Sequence, residues 1–198
     1  MTNRQLAAME TKKKLLEAAK KIVCEKGLIN TSVEEITKAC GVSNGTFYTY
    51  FKRKEDIVFA LSKEMYQEIY EQAMAYEASL TERLSLYMTR FAEYIEKSSL
   101  KLCQEWVRNV VDPDIVKDGK DKLYADIGSI KGLLEYAVQN GDLKSDTPVD
   151  LLAETFADVL YGQMLCWDIS GGAYSFEART EKFCENFLGA IIEPYLLQ

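Results

Sequence analysis

The sequence predicts an all-α protein of about nine helices, with an amino-terminal helix-turn-helix domain followed by a carboxy-terminal helical bundle. Apolar residues recur with the helical period along most of the chain, as at Ile57, Leu61, Met65 and Ile69. The chain of 198 residues contains 3 prolines, so long helices are rarely interrupted. With 47% hydrophobic and 28% charged residues, the composition is that of a globular protein.

Two short helices joined by a glycine turn are predicted in the first third of the chain. Ser32 and Glu35 form a capping box, which marks the start of the first of these helices. Gly41 follows, and glycine is the residue that most readily ends a helix with a positive φ. Ser43 can then cap the second helix. Together these signals are typical of a helix-turn-helix.

Charge is divided unevenly along the chain. Residues 1–54 contain eleven Lys and Arg against five Asp and Glu, a net charge of +6, whereas residues 55–198 carry −13. No acidic residue lies between Glu35 and Glu55, an interval that includes Lys38, Lys52 and Lys54. Because a polyanion is attracted by the first part and repelled by the second, the sequence indicates a DNA partner for the amino-terminal part.

The same stretch resembles the signature of the tetracycline-repressor (TetR/AcrR-type) family of transcriptional regulators. The resemblance runs through Gly27–Val33, Ile36 and Gly41–Glu55, and the remainder resembles the family only in length and helical pattern. Thr37 departs from the family, which usually has a small apolar residue there, and we expect Thr37 to affect packing rather than DNA binding. The resemblance implies a DNA-binding regulator, most simply a dimeric repressor of a near-palindromic operator in double-stranded DNA, released by a small-molecule effector.

The resemblance assigns DNA contacts to the second short helix and its flanks. On that helix Gly45 would let the backbone approach the major groove closely, and Thr46 can donate to a base or a phosphate. The residues predicted to contact DNA are Ser32, Ser43, Asn44, Gly45, Thr46, Tyr48, Thr49, Tyr50 and Lys54. Of these Ser32, Ser43, Tyr50 and Lys54 are predicted phosphate contacts, with partial core packing as the alternative for Tyr50.

Three segments are predicted: a helix-turn-helix DNA-binding domain at 1–53, a connecting fourth helix at 54–80, and a ligand-binding and dimerisation domain at 81–198. The first ten residues are predicted to be a flexible leader, with the first helix starting near Lys12. The fourth helix alone is expected to touch both parts of the molecule. Thr147 is predicted to cap the eighth helix, with Pro148 at its first position.

The last two helices predict a homodimer. Helices 8 and 9 carry apolar faces that exceed what one small bundle buries, and a two-fold pair of these hairpins would form a four-helix interface. The alternative is that both helices complete the core of the monomer.

An effector pocket among helices 4 to 8 is implied by the resemblance. The candidate lining residues combine apolar bodies with polar tips; they are Phe91, Tyr94, Cys103, Trp106, Tyr124 and Trp167. Plain core packing is the alternative role for each of them.

Several function classes are disfavoured by composition. The chain has no histidine, and its 5 cysteines form no C-x-x-C pair, so we expect no metal site, no cofactor and no histidine-dependent triad. Asp112 and Asp114 flank a proline without forming a carboxylate pair in an apolar setting, and no enzyme is predicted. No apolar run spans a membrane and no signal core follows the first residues, so a cytoplasmic protein is expected. The remaining alternative is a TetR-like co-activator or interaction protein that does not act as a ligand-released repressor.

Overall fold

The computed structural model describes residues 2–110 and 116–197, which form helices and short connections. The helices are α1 (Asn3–Lys26), α2 (Val33–Cys40), α3 (Asn44–Tyr50), α4 (Asp56–Ala75), α5 (Leu80–Ser98), α6 (Leu100–Val110), α7 (Val116–Asn140), α8 (Val149–Ile169) and α9 (Phe176–Phe183). The chain continues from α9 through a π-helical turn (Cys184–Leu188), α10 (Gly189–Ile192) and a 3₁₀ turn (Glu193–Tyr195). Within the described ranges the only β-type pairing is an isolated bridge between Leu143 and Leu196, and the predicted all-α class is confirmed. The pair Asp112 and Asp114 lies outside the described residues.

Helix α1 begins at Asn3, so the predicted flexible leader is wrong for residues 3–10. The Thr2 hydroxyl accepts from the backbone N–H of Gln5, and the Gln5 side chain accepts from the backbone N–H of Thr2. This is a complete capping box, a signal that lies ten residues before the predicted start near Lys12. Gly27 ends the helix, with φ 82°.

The predicted cap of α8 is also wrong. The Thr147 hydroxyl donates to the carbonyl of Lys144 at 2.6 Å and makes no capping hydrogen bond to the helix. Helix α8 starts at Val149 with Pro148 in the cap position and no side-chain cap hydrogen bond. A hydroxyl close to several backbone groups can bond backwards into a turn as readily as forwards into a helix.

The described chain groups into two compact units. The first comprises Met1–Glu64 and Lys101–Gly119, and the second comprises Met65–Leu100 and Lys120–Gln198. The chain therefore passes between the units within α4, at the start of α6 and within α7. The expectation that the fourth helix alone connects the two parts is wrong, because α6 groups with the amino-terminal helices. The functional ranges 1–53, 54–80 and 81–198 stay a prediction.

The first unit has a core built on the short helices. Leu15, Leu16 and Ala19 of α1 pack with side chains of α2, α3 and α4 in one cluster; its other buried members are Ile36, Phe47, Phe51, Ile57 and Leu61. A second cluster joins the end of α1 to α6 through Val23, Leu28 and Leu102. Since α6 buries its apolar face against α1, the hydrophobic effect holds it in this unit.

The second unit is a helical bundle with α5 in its core. The buried face of α5 contains the predicted residues Leu84, Tyr87, Met88, Phe91 and Ile95. The last helical segment instead buries every fourth residue, at positions 176, 180, 184, 188 and 192. A spacing of four drifts by about 40° per step around an α-helix, and the π-helical turn takes up part of this drift. Phe187, on another side of this segment, is 59% exposed.

Candidate nucleic-acid interface

Helix α3 is fixed by its start and by one buried face. The Ser43 hydroxyl accepts from the N–H of Thr46 at 3.3 Å, as predicted for the cap of this helix. Gly41 ends α2 with φ 69° and ψ 30°, the left-handed conformation that the sequence predicts for it. Phe47 is fully buried and packs against Phe51 with ring centroids 5.2 Å apart and the rings tilted by 46°. A helix of seven residues is too short to be stable alone, so this anchoring holds it in place.

The opposite face of α3 is exposed. Asn44, Gly45, Tyr48 and Thr49 are exposed, and Tyr48 is 57% accessible. Thr46 is half-buried, and its hydroxyl lies 3.0 Å from that of Ser43. A large aromatic side chain without a core role, on a face of small polar residues, is suited to contacts in a DNA groove.

The flanking residues predicted to contact phosphates have partners within the chain. The Ser32 hydroxyl caps α2 through the N–H of Glu35 at 3.1 Å. The Lys54 ammonium group donates to the carbonyl of Leu28 at 2.7 Å, which joins the start of α4 to the loop before α2. Tyr50 is half-buried and packs against the core of the first unit, as in its alternative role.

Asp56 shapes the segment between α3 and α4. Its carboxylate accepts from the backbone N–H groups of Lys52 and Arg53 at 2.9 and 3.0 Å, and it pairs with the Arg53 guanidinium at 3.1 Å. Arg53 is therefore partly neutralised, whereas the exposed Lys52 and Lys38 side chains have no ion-pair partner among the described residues. Lys38, Lys52 and Lys54 all lie between Glu35 and Glu55, where the sequence has no acidic residue. Counting charges in this interval did not distinguish the first two from Lys54.

Some of the basic residues of α1 form ion pairs. Lys14 contacts Glu10 at 2.9 Å, and Lys26 contacts Glu35 at 2.5 Å. The hydrogen bond from Lys26, together with those from Ser32, lowers the pKa of Glu35 from 4.5 to about 2. Glu35 therefore stays ionised and holds the start of α2 at neutral pH. Lys38 and Lys52 are thus among the exposed cations of the first unit that are open to a partner.

The predicted pocket residues fall into separate groups. Phe91 and Tyr94 both contact Tyr66 in the second unit, with ring centroids 4.8 and 6.2 Å apart. Trp167 is buried in the same unit, where it stacks on Phe176, and Tyr124 is 59% exposed. Cys103 and Trp106 belong to the first unit, where Trp106 packs beside the cluster of Val23 and Leu102.

The sequence did not predict a buried polar cluster in the second unit. Lys122 and Asp126 of α7 form an ion pair, and the Tyr161 hydroxyl donates to the same carboxylate at 2.5 Å. The Lys122 ammonium group also lies 3.7 Å from the centroid of the Tyr66 ring. Burial lowers the pKa of Lys122 and raises that of Tyr161. Only the spacing of four between Lys122 and Asp126 could have suggested the pair, and that spacing is common on exposed helix faces.

A cavity in the second unit includes one predicted residue. It measures about 350 Å³ and lies against α4 and α5; its lining residues are Glu68, Ile69, Gln72, Arg90, Glu93, Tyr94 and Lys97. Two acids and two bases line it, so it is more polar than most small-molecule sites. Among the described residues no group of three His, Cys, Asp or Glu side chains could hold a metal ion. None of the described helices is long and apolar enough to cross a membrane.

Comparison with known proteins relates the helix-turn-helix segment to a family of bacterial regulatory proteins. Residues 15–61 match the family described as bacterial regulatory proteins, tetR family. The fatty acid metabolism regulator protein of Bacillus subtilis is 24% identical over 181 residues, covering 89% of this chain and 93% of its own. The HTH-type transcriptional regulator UidR of Escherichia coli is 24% identical over 203 residues, covering 97% and 98%.

A solved structure has the same fold. The transcriptional regulator FadR of Bacillus subtilis, in complex with stearoyl-CoA, superposes with a TM-score of 0.66 at 23% identity, over 87% of this chain and 95% of that one. The structural similarity between FadR and this chain covers more than residues 15–61 and includes the helical bundle. Residues 15–61 of this chain therefore belong to the tetR family of bacterial regulatory proteins, and the chain as a whole has the fold of that solved structure.

Proposed function

We propose that the protein is a homodimeric repressor that binds a near-palindromic DNA operator and is released by a small molecule. The observation that carries the proposal is the exposed face of α3, held rigidly by a buried face and followed by unpaired positive charge. The proposed base-contacting residues are Asn44, Gly45, Thr46, Tyr48 and Thr49, and the proposed phosphate contacts are Ser32, Ser43, Tyr50 and Lys54. To the second group we add Lys38 and Lys52, because both ammonium groups are exposed and lack an ion-pair partner among the described residues.

Lys54 would serve two roles in this proposal. In the DNA-free chain its ammonium group is bound to the Leu28 carbonyl at 2.7 Å. An ammonium group carries three donors, so it can keep that hydrogen bond while it approaches a phosphate. Lys54 would therefore place the start of α4 at a fixed distance from the DNA backbone.

Dimerisation through α8 and α9 is supported by exposed apolar side chains. Leu151, Leu165 and Ile169 of α8 are 61%, 44% and 76% exposed, and Phe187 after α9 is 59% exposed. Leu151, Leu165 and Ile169 lie on one side of α8 by helical spacing, with the exposed Gly162 between them. The exposed Asp158 lies on the same side, so the face is apolar at its two ends and polar in the middle. Exposed large apolar side chains of this kind are suited to a two-fold interface. The operator half-sites would then lie roughly one helical turn apart, or a multiple of it.

The effector would act in the second unit. The relative FadR of Bacillus subtilis was solved with stearoyl-CoA, which makes acyl-CoA thioesters the first class to screen. The described cavity beside Tyr94 has a charged lining, so it suits the polar part of such a molecule better than a long acyl chain. An effector that lowers DNA affinity must itself bind more weakly in the presence of DNA, with a coupling of at least about 1–3 kcal/mol. Binding of DNA also supports a cytoplasmic location, and no observation on the site supports an enzyme.

Selection of bound sequences from random DNA with the purified protein tests the proposal. We expect a near-palindrome, and the Tyr48→Ala variant should bind it more weakly while unfolding at the same temperature. Recovery of no preferred sequence would contradict the proposal and favour the co-activator or interaction protein. The metabolite screen would then use the selected operator, and turnover of a compound would instead indicate an enzyme.

The salt dependence of binding tests the phosphate contacts. Loss of one phosphate contact per protomer reduces the slope of log K against log salt by about 0.9 for each protomer. We expect this reduction for Lys52→Ala and Lys54→Ala, but not for Lys120→Ala, which removes an exposed cation of the second unit. Equal slopes for all these variants would contradict the assignment.

A further inference from the structure

Thr37 connects α2 to the first residue of α3. Its side chain is buried, 2% exposed, on the inner face of α2. Its hydroxyl oxygen lies 2.6 Å from Oδ1 of Asn44, the first residue of α3. The same hydroxyl lies 3.0 and 3.1 Å from the carbonyls of Val33 and Glu34. A residue expected to affect only packing thus touches a residue proposed to contact DNA.

The length of this hydrogen bond indicates which atom is the donor. A hydroxyl has one proton, so Thr37 can donate fully to only one of its three acceptors. In the reverse arrangement Thr37 would donate to Val33 and accept from the amide N–H of Asn44. A separation of 2.6 Å lies within the range of O–H···O bonds and is short for an N–H···O bond. The geometry therefore favours Thr37 as the donor and Asn44 Oδ1 as the acceptor.

This direction restricts what Asn44 can offer to DNA. Oδ1 keeps a second lone pair, but the bond holds this oxygen on the side of Thr37. The other end of the planar amide is the NH₂ group, which only donates. The usual contact of asparagine with adenine is bidentate and needs both ends, because Oδ1 accepts from N6 while Nδ2 donates to N7. Guanine presents two acceptors in the major groove, O6 and N7, and thymine presents O4.

We propose that Thr37 is a specificity-determining residue, which holds the Asn44 amide so that it reads an acceptor-only base edge, guanine or thymine, and disfavours adenine. The proposal rests on the proposed contact between Asn44 and DNA. Thr37 itself is buried and acts only through Asn44. Its hydroxyl therefore governs base preference at one position of each half-site without touching the DNA.

The test compares base preference in wild type and variants. The Asn44→Ala variant identifies the base that Asn44 contacts in the selected operator. Substitution of this base changes the affinity of wild type but does not change the affinity of Asn44→Ala. At that base we expect wild type to prefer guanine or thymine over adenine by about fivefold or more. Thr37→Val keeps the branched shape but removes the hydroxyl and frees Oδ1, so adenine should gain several-fold relative to wild type. Thr37→Ser retains the hydroxyl and should retain the wild-type preference.

Two controls separate a positioning role from a packing effect. Thr37→Val should unfold at the same temperature as Thr37→Ser to within a few degrees, and it should have no further effect on base preference in the Asn44→Ala background. The proposal is overturned if wild type prefers adenine at this base, or if Thr37→Val leaves the preference unchanged. It is also overturned if Asn44→Ala weakens binding equally on every sequence. Failure to select any operator would instead contradict the proposed DNA binding.

Discussion

Lys122 and Asp126 form an ion pair inside the second unit, where their side chains are 7% and 5% exposed. Removal of one member leaves an uncompensated buried charge, which costs about 3–5 kcal/mol, whereas replacement of both by apolar residues is often neutral or stabilising. We expect Asp126→Asn to lower the free energy of unfolding by several kcal/mol, and the double variant Lys122→Met/Asp126→Leu to recover most of the loss. Urea unfolding measures both effects. If the loss in the double variant equals the sum of the losses in Lys122→Met and Asp126→Leu measured singly, the pair is not coupled.

Gly128 and Gly132 of α7 differ in their surroundings, and this predicts opposite effects of alanine. A Cβ at Gly132 would lie 2.6 Å from the Tyr70 hydroxyl oxygen, whereas a Cβ at Gly128 would meet no atom within 4 Å. Gly128→Ala should stabilise the protein by about 0.5–1 kcal/mol, because alanine loses less conformational freedom in a helix. Gly132→Ala should destabilise it, since Tyr70 must move.

The pair Gly128→Ala and Gly132→Ala is a matched comparison, because both sites are on the same helix and gain the same methyl group. Thermal unfolding of the two variants measures the difference. A stabilised Gly132→Ala variant would show that Tyr70 moves aside at little cost.

Local signals in the sequence predicted the helix-turn-helix correctly. The Ser32–Glu35 capping box and the left-handed Gly41 depend on residues within a few positions of each other, and both occur in the structure. Local signals were also misread, since the capping box of Thr2 and Gln5 was missed and Thr147 bonds backwards to Lys144. Contacts between residues distant in sequence were not predicted at all, such as the bond from Lys54 to the carbonyl of Leu28, 26 residues away. Hydrophobic periodicity shows which face of a helix is buried, but it does not show which other segment packs against that face.

The sequence predicted the parts of the candidate site that depend on one helix alone, and it did not predict the contacts between helices. The exposed face of α3 follows from its period, since Phe47 points inward and Tyr48 outward. The Thr37–Asn44 contact crosses between two helices through a turn, and its distance depends on the angle at which they meet. That angle depends on the combined packing of the core and not on any local sequence signal, so the contact was not predicted.

Glu35 predicts a specific dependence of stability on pH. Its pKa is lowered from 4.5 to about 2 by the hydrogen bond from Lys26 and by those from Ser32. A carboxyl with a lowered folded-state pKa contributes stability above its unfolded pKa, and the contribution is lost as the pH falls through the folded one. Wild type should therefore lose stability relative to Glu35→Gln between about pH 4.5 and pH 2.

Unfolding temperatures of wild type and Glu35→Gln, measured across this range, check the prediction for Glu35. Glu34→Gln is the matched control, because Glu34 is an exposed neighbour in the same first turn. Its difference from wild type should vary less with pH. Parallel curves for wild type and Glu35→Gln would show that the carboxylate contributes nothing in the folded state.

The exposed apolar side chains of α8 and of the segment after α9 predict that one introduced charge will dissociate the proposed dimer. Phe187 is 59% exposed and stacks on Phe183 with ring centroids 5.9 Å apart. In Phe187→Glu, dimerisation would bury a carboxylate against apolar side chains, at a cost of about 2 kcal/mol or more per protomer. We expect sedimentation to shift from dimer to monomer at micromolar concentration. Tyr124→Glu is the control, because Tyr124 is equally exposed but lies on α7.

Cys166 reports on the same interface. It is exposed on α8 beside Leu165, whereas Cys103 and Cys184 are buried and Cys24 and Cys40 are half-buried. If α8 lies in the interface, the Cys166 thiol is covered in the dimer, so its alkylation should be several-fold slower in wild type than in Phe187→Glu. The buried thiols should react equally slowly in both proteins and serve as an internal reference. A wild-type protein that sediments as a monomer and still binds its operator fully would contradict the interface, because a palindrome would then be read without the two-fold pairing of α8 and α9.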